Sequence, residues 1–205
     1  VLEYTLRAPA TPTLPPPSLG SPPPPSAPRV AVSTGAAANS ADDGPRIERR
    51  ALPRGFSLTV FFCGESARTS ELLARVYALA GRDPRAHRAC FASLREAALV
   101  GADATAQGDA AALVAAAELT RQSLAALGKA ADAPIVPQVF SLLHDAAAHE
   151  GAVFLPSGAG GGDIGLYAGL AAPSPSFLDR ARVAGMVPLP LAVDTRGVHV
   201  VPSPS

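Results

Sequence analysis

Eight consecutive residues, Pro156 to Asp163 (PSGAGGGD), have small side chains, include several conformationally free glycines and end with one carboxylate. Glycines let the backbone adopt positive φ and let a ligand approach bare N–H groups within hydrogen-bonding distance. The run follows an apolar stretch, 152–155, and precedes a helix-like stretch, 164–170, which predicts a strand, a glycine turn and the start of a helix. Because a helix N-terminus adds unpaired N–H donors and a partial positive charge, this pattern favours a site for phosphate or another anion.

Asp163 ends the run with a carboxylate, which suits a metal ion, a hydroxyl proton or the N-terminus of the expected helix. The run differs from two common nucleotide-binding loops. No Gly-Lys-Ser/Thr follows it, as a P-loop requires, and its glycines are contiguous, unlike those of the dinucleotide fingerprint. A flexible surface turn is the alternative interpretation, since glycine patterns taken alone give false matches.

Two segments resemble a known enzyme family. Residues 157–163 (SGAGGGD) are similar to the third conserved motif of the GHMP kinases, in the form found in phosphomevalonate kinase. Residues 63–69 (CGESART) resemble the Thr-Gly-x-Ser-Ala-x-Thr segment that follows the first strand of that enzyme's C-terminal domain. The resemblance covers about residues 55–201 and implies a ferredoxin-like C-terminal domain of this superfamily.

The resemblance also implies a reaction: transfer of the γ-phosphate of ATP, with Mg²⁺, to a small-molecule acceptor. The acceptor expected first is 5-phosphomevalonate, which would give the diphosphate used in isoprenoid synthesis. Asp163 is the implied catalytic residue, which orients substrate or Mg²⁺, and no separate set of metal ligands is expected. The residues implied to bind phosphate and substrate are Ser66, Arg68, Ser157, Gly158, Ala159, Gly160, Gly161 and Gly162. For Arg68, an exposed surface position without a binding role is the alternative.

The sequence departs from that of a complete GHMP kinase. The Pro-x-x-x-Gly-Leu-Gly-Ser-Ser-Ala loop that binds nucleotide in the family's N-terminal domain does not occur, and Leu155 stands where the family usually has Lys. The sequence also does not begin with Met. We therefore expect a C-terminal half that needs an N-terminal GHMP domain as partner. The alternatives are a truncated or degenerate domain acting as a non-catalytic binding module, or another GHMP kinase acting on mevalonate or homoserine.

Composition narrows the function classes. Seventeen basic and 17 acidic residues give zero formal net charge, so nothing favours a nucleic-acid or acidic-membrane surface. We expect a cytoplasmic protein, because the N-terminus lacks a signal peptide and no apolar stretch is long enough to span a bilayer. Cys63 and Cys90 are too few for a disulfide framework and are interpreted as small buried apolar residues. His144 and His149 are five apart, which does not suit a metal pair on one helix face.

Composition also divides the chain into three parts. Residues 1–7 suggest a short strand, the possible tail of a missing N-terminal domain, and residues 8–46 form a Pro/Ala-rich low-complexity linker or insertion. Residues 47–205 are expected to form the folded domain. Its pattern predicts an α+β fold, an antiparallel sheet with helices packed on one face.

Periodicity and turn residues predict the elements of this domain. Gly128 is expected to end the third helix, and Asp145 and Glu150 are interpreted as solvated charges. The predicted elements are a strand at 57–62, helices at 69–80, 85–100 and 109–127, a helix opened by Pro137, a strand at 152–155, a helix after Asp163, and a closing hairpin of 188–193 and 198–201 around 194–197.

Overall fold

The computed structural model describes residues 50–64, 68–158 and 160–193. Several predictions concern residues outside these ranges: the tail 1–7, the linker 8–46, and the turn 194–197 and second strand 198–201 of the closing hairpin. Two of the expected site residues, Ser66 and Ala159, lie outside them as well.

The described strands form one antiparallel sheet in the order β2-β3-β1-β4. Strand β3 pairs with β1 along its whole length and with β2 on its other side, where Pro156 lies opposite Gly165. The chain order βαββαβ with this strand order is the ferredoxin-like arrangement, so the predicted α+β fold class is confirmed. The strands are β1 (Ser57–Phe62), β2 (Val153–Pro156), β3 (Ile164–Gly169) and β4 (Val187–Leu189).

Side-chain caps fix where three of the helices begin. Asp83, Asp109 and Ser174 each accept a hydrogen bond from a backbone N–H in the first turn of the helix that follows. None of the helices in the described ranges combines the length and apolar character needed to cross a membrane. The helices are α1 (Thr69–Arg82), α2 (Pro84–Gln107), α3 (Ala110–Ala131), α4 (Gln138–Ala148) and α5 (Pro175–Val183).

The sheet carries apolar side chains on both faces. On one face, Phe61, Phe154 and Tyr167 pack against aromatic residues of α4 and α5, with ring centroids 4.8 to 5.8 Å apart. On the other face, Val153 and Leu155 pack with residues of α3. Helix α3 therefore covers the part of this face that β2 and β3 form. Helices pack on both faces of the sheet, whereas the sequence pattern predicted them on one face.

The segment after Asp163 is strand β3, so the helix predicted there is wrong. Both faces of β3 are covered, because Tyr167 faces α5 while Ala168 lies in the cluster beside α3. A strand buried on both faces loses the apolar–polar alternation that identifies strands in a sequence. Gly165 is required by packing, since a Cβ there would lie 2.4 Å from Cζ of Phe154.

Helix α3 does not end at Gly128, as the sequence suggested, but continues to Ala131. The residue that ends it is Asp132, which has a left-handed φ of 51°. Gly128 is a glycine because the chain returns close to the helix, and a Cβ there would lie 2.8 Å from the carbonyl oxygen of Ala133. Helix α5 had no counterpart among the predicted elements.

Candidate functional site

The glycine run is the connection of the β2–β3 hairpin. Ser157 N–H donates to the carbonyl oxygen of Ile164 over 2.9 Å, which closes the strand ladder just below the loop. Gly160 and Gly162 have φ of 80° and 99°, values that L side chains rarely adopt. The glycines of this run therefore adopt the positive φ values that the sequence predicted.

Three parts of the chain meet at this loop. At the end of β1, Cys63 N–H donates to the carbonyl oxygen of Asp163 over 3.2 Å. The connection between α3 and α4 accepts a hydrogen bond from Gly161 N–H at the carbonyl oxygen of Ile135, over 3.0 Å. At the start of α4, Pro137 packs against Gly162, where an added Cβ would lie 3.4 Å from the proline Cγ. The loop is thus fixed on several sides.

A helix N-terminus lies beside the loop, but it belongs to α4 and not to the residues after Asp163. Pro137 is the N-cap of α4, and its carbonyl oxygen accepts from Phe140 N–H over 3.0 Å. The ring of Phe140 also contacts the position of Gly162, with Cε2 3.9 Å from an added Cβ. The first N–H groups of a helix have no intrahelical acceptor and carry partial positive charge, so the electrostatic argument for an anion applies to α4.

Backbone donors in the loop are available for a ligand. None of the turn and loop hydrogen bonds between described residues is donated by the N–H groups of Gly158, Gly162 or Asp163. Gly162 is buried and Asp163 is half-buried. Gly158 is exposed, so water satisfies its N–H group when no ligand is bound. Since buried backbone N–H groups are nearly always paired in native proteins, an acceptor supplied by a ligand is the natural partner for the donors of Gly162 and Asp163.

The Asp163 carboxylate is available too. Within the described ranges it accepts no hydrogen bond and forms no ion pair. A carboxylate beside donors suited to phosphate would repel the phosphate unless a proton or a cation lay between them. The arrangement therefore fits a phosphate that arrives together with a divalent cation.

The described part of the chain contains no group of three or more His, Cys, Asp or Glu side chains that could hold a metal ion. Mg²⁺ does not need such a group, because it is usually bound by one or two carboxylates together with the phosphates of its substrate. Asp163 could supply one such carboxylate, so the residues present fit a Mg²⁺ ion that arrives with a phosphate-bearing ligand.

The other expected site residues occupy different environments. Ser157 is half-buried at the base of the loop. The side chain of Arg68 is 80% exposed and its guanidinium lies 2.9 Å from the carboxylate of Glu71, one helical turn away. A role for Arg68 in phosphate binding stays a prediction.

Glu150, interpreted from the sequence as a solvated charge, is a structural hydrogen-bond acceptor. Its carboxylate accepts from Tyr167 OH over 2.8 Å, from Ser174 N–H over 3.1 Å and from the Ser174 hydroxyl over 2.5 Å. Desolvation alone would raise the pKa of Glu150, but these hydrogen bonds outweigh it and hold the pKa below its usual value. Burial and the acceptor Glu150 raise the pKa of the Tyr167 hydroxyl.

No signal in the sequence near Glu150 indicates this cluster, because its partners are 17 and 24 residues away. The cluster lies where β2 begins and β3 ends, at the opposite end of the hairpin from the glycine loop. It joins the end of α4 to the N-cap of α5, and so belongs to the scaffold of the site.

Comparisons with known proteins agree with this fold. The chain is 30% identical over 158 residues to the phosphomevalonate kinase of Streptomyces sp. (strain CL190), an alignment that covers 76% of this chain and 42% of that protein. A crystal structure of a protein from Listeria innocua matches 71% of this chain and 41% of its own chain, with 23% identity and a TM-score of 0.65.

A second solved structure carries ligands. It is the phosphomevalonate kinase of Streptococcus pneumoniae in complex with phosphomevalonate and AMPPNP, with 22% identity and a TM-score of 0.54. The match covers 68% of this chain and 39% of that chain. These alignments cover 39 to 42% of the related proteins, so the chain spans less than half of their length. No family model matches the sequence.

Proposed function

Because this chain is related to the GHMP kinases and is similar to phosphomevalonate kinase, we propose that it forms part of an ATP-dependent phosphotransferase. The observation that carries the proposal is the loop at the end of the β2–β3 hairpin. There the N–H groups of Gly158, Gly162 and Asp163 are available, Gly162 lies beside the N-terminus of α4, and the Asp163 carboxylate has no partner among the described residues.

Each of these groups has a role in phosphoryl transfer, which depends mainly on positioning and on stabilising negative charge. The N–H groups of Gly158 and Gly162 would donate to phosphate oxygens without reorganising, because the loop is already fixed by its contacts. Mg²⁺, when bound, would neutralise charge on the phosphates. Asp163 would orient that cation and keep the reacting oxygens aligned.

The acceptor proposed first is 5-phosphomevalonate, which the Streptococcus pneumoniae structure binds together with AMPPNP. A phosphomonoester loses its second proton near pH 6, so its attacking oxygen needs no general base at neutral pH. In that case Asp163 positions charge. If the acceptor were instead a hydroxyl, as in mevalonate, Asp163 would have to accept its proton.

A non-catalytic binding module is the second candidate. Leu155 stands where the resembling kinases usually have Lys, and its side chain is 7% exposed in the apolar cluster beside α3. This chain therefore lacks the cation that Lys would bring to that position. The loop could then bind a phosphorylated ligand without turning it over.

An assay of ADP release distinguishes the phosphotransferase from the non-catalytic binding module. The chain would be assayed with ATP, Mg²⁺ and each of 5-phosphomevalonate, mevalonate and homoserine, first alone and then with a separately expressed N-terminal GHMP domain. The proposal predicts release with 5-phosphomevalonate, and a dependence on the added domain would identify that domain as a partner. No release with any acceptor, from a chain shown to be folded, would favour the binding module.

A further inference from the structure

Residues 133–137, which connect α3 to α4, lie directly behind the glycine loop; we refer to them as the buttress segment. Ile135 is only 4% exposed, and its carbonyl oxygen accepts the hydrogen bond from Gly161 N–H. A Cβ added at Gly160 would lie 2.3 Å from that same oxygen and 2.8 Å from Cγ2 of Ile135. The loop therefore rests on the backbone of Ile135 with no space for a side chain between them.

The other side of the buttress segment is fixed by Gly128 in the last turns of α3. Ala133 N–H donates to the carbonyl oxygen of Gly128 over 2.9 Å. A Cβ at Gly128 would lie 2.8 Å from the carbonyl oxygen of Ala133 and 3.4 Å from Cβ of Ile135. The buttress segment is thus held between two glycines that are 32 residues apart in the chain, and a side chain at either of them would clash with it.

Helix α1 holds the end of α3 from which the buttress segment starts. The guanidinium of Arg82 donates to the carbonyl oxygen of Ala130 over 2.8 Å. The guanidinium of Arg75 donates to the carbonyl oxygen of Asp132, the left-handed residue that turns the chain into the buttress segment. Carbonyl groups at a helix C-terminus that would otherwise lack partners are satisfied in this way.

We propose that Ile135 is a positioning residue for phosphate binding: its backbone, which contacts Gly160 and Gly161, sets where the N–H group of the adjoining Gly162 points. Rigid support of this kind is what a site needs when its donors must meet a ligand without rearranging. The inference rests on the proposed function. It extends that function to residues which do not touch the ligand, and it predicts that Gly128 affects binding through Ile135.

The test compares Gly128→Ala with Gly81→Ala in the full 205-residue chain. Both glycines are helical, but a Cβ at Gly81 has nothing within 4 Å, whereas one at Gly128 displaces the buttress segment. Two quantities are measured well below the melting temperature of each variant. One is the hydrogen-exchange rate of the Gly161 amide, and the other is the affinity for inorganic pyrophosphate in the presence of Mg²⁺, followed through the loop amides by ¹⁵N NMR.

We expect Gly128→Ala to speed exchange at the Gly161 amide and to weaken pyrophosphate binding, each by about tenfold, while Gly81→Ala changes neither. Wild-type affinity in a folded Gly128→Ala chain would overturn the positioning role, even if exchange had become faster. If the wild-type chain binds no pyrophosphate, the proposed function is overturned together with the positioning role. The exchange data then still report whether the contact between Ile135 and the loop exists.

A second pair of variants approaches the same contact from the loop, in case Gly128→Ala does not fold. Gly160→Ala and Gly185→Ala both place a side chain at positive φ, but only the first meets Ile135, since a Cβ at Gly185 has nothing within 4 Å. Gly160→Ala should weaken pyrophosphate binding about tenfold, whereas Gly185→Ala should leave it unchanged. Equal affinities in the two variants would contradict the role of Ile135.

Discussion

The two ends of the β2–β3 hairpin carry carboxylates in opposite situations. Glu150 accepts three hydrogen bonds, from the hydroxyl of Tyr167 and from the hydroxyl and N–H of Ser174. Asp163, at the other end, has no side-chain partner among the described residues, and neighbouring N–H groups lack acceptors in the loop. The hydrogen bonds of Glu150 are complete, and they hold the scaffold together. The groups around Asp163 lack partners, so they can still bind a ligand.

This difference indicates how the domain separates stability from binding. Polar groups that are fully satisfied within the protein have little left to offer a ligand, whereas pre-positioned donors without partners bind an anion at low cost in reorganisation. We therefore expect substitutions at Asp163 to change binding or turnover, and substitutions at Glu150 to change the free energy of unfolding.

The largest effect should come from Asp163→Asn, which removes the charge and keeps the shape. We expect turnover in the complete kinase assay to fall by about 100-fold or more, with the melting temperature unchanged, because the carboxylate acts on the ligand. Steady-state kinetics and thermal unfolding measure the two effects. Asp103→Asn, at an exposed position of α2, is the matched control. Wild-type turnover in Asp163→Asn would refute the assignment.

A smaller effect is expected from Gly162→Ala, which places a side chain at a φ of 99° against Pro137 and Phe140. Both the backbone strain and the contact should shift the loop, so we expect phosphate affinity to fall by about tenfold. Gly185→Ala has similar strain, at a φ of 79°, but has open space around it. Isothermal titration with both variants separates strain from position, and equal affinities would argue against a site at Gly162.

Glu150→Gln should alter stability without altering binding. The replacement weakens three hydrogen bonds, and because Glu150 is largely exposed we discount their value to about 1 kcal/mol. That loss corresponds to a drop in melting temperature of about 2–4 °C for a domain of this size. A change in phosphate affinity instead would contradict the separation of the two ends.

The same carboxylate predicts a pH dependence with a definite sign. The pKa of Glu150 is lower in the folded chain than its ordinary value, so its contribution to stability is present above that ordinary value. It should be lost as the pH falls through the folded pKa. Urea unfolding at several acidic pH values should therefore show wild type and Glu150→Gln converging. A difference that stays constant at acid pH would mean that ionisation of Glu150 contributes nothing.

The smallest effect should follow Tyr167→Phe, which removes one donor to Glu150 and keeps the buried ring against Phe177. We expect a loss of about 0.5–1 kcal/mol, less than for Glu150→Gln. Urea unfolding of the two variants and of their combination measures the coupling between the residues. Fully additive losses would show that Tyr167 and Glu150 do not act together.

The sequence predicted local features well where one residue type dominates. Strand β1 has the predicted bounds 57–62, since its β-branched and aromatic residues leave little alternative. The face of α4 that carries Phe140, Leu143 and Ala147 is buried as the 3.6-residue period indicated. The position of the glycine loop between β2 and the next element was also predicted.

Features that depend on distant contacts could not be predicted. Gly165 makes β3 hard to predict as a strand, and it is a glycine because the ring of Phe154 fills the space that a side chain would take. Gly128 was predicted to end α3, but it is a glycine because the chain returns to pack on it. The acceptor for Gly161 N–H is Ile135, a residue that no local pattern connects to the loop. The buttress segment and the Glu150 cluster were missed for this reason.

The central claim is that the loop N–H groups bind phosphate, and a ¹⁵N NMR titration of the whole chain with 5-phosphomevalonate and Mg²⁺·AMPPNP tests it most directly. The account predicts saturable shifts at the amides of Gly158, Gly162 and Asp163, with the amides of Gly55 and Gly185 unmoved. Shifts confined to residues outside the loop, or none up to millimolar ligand, would contradict it.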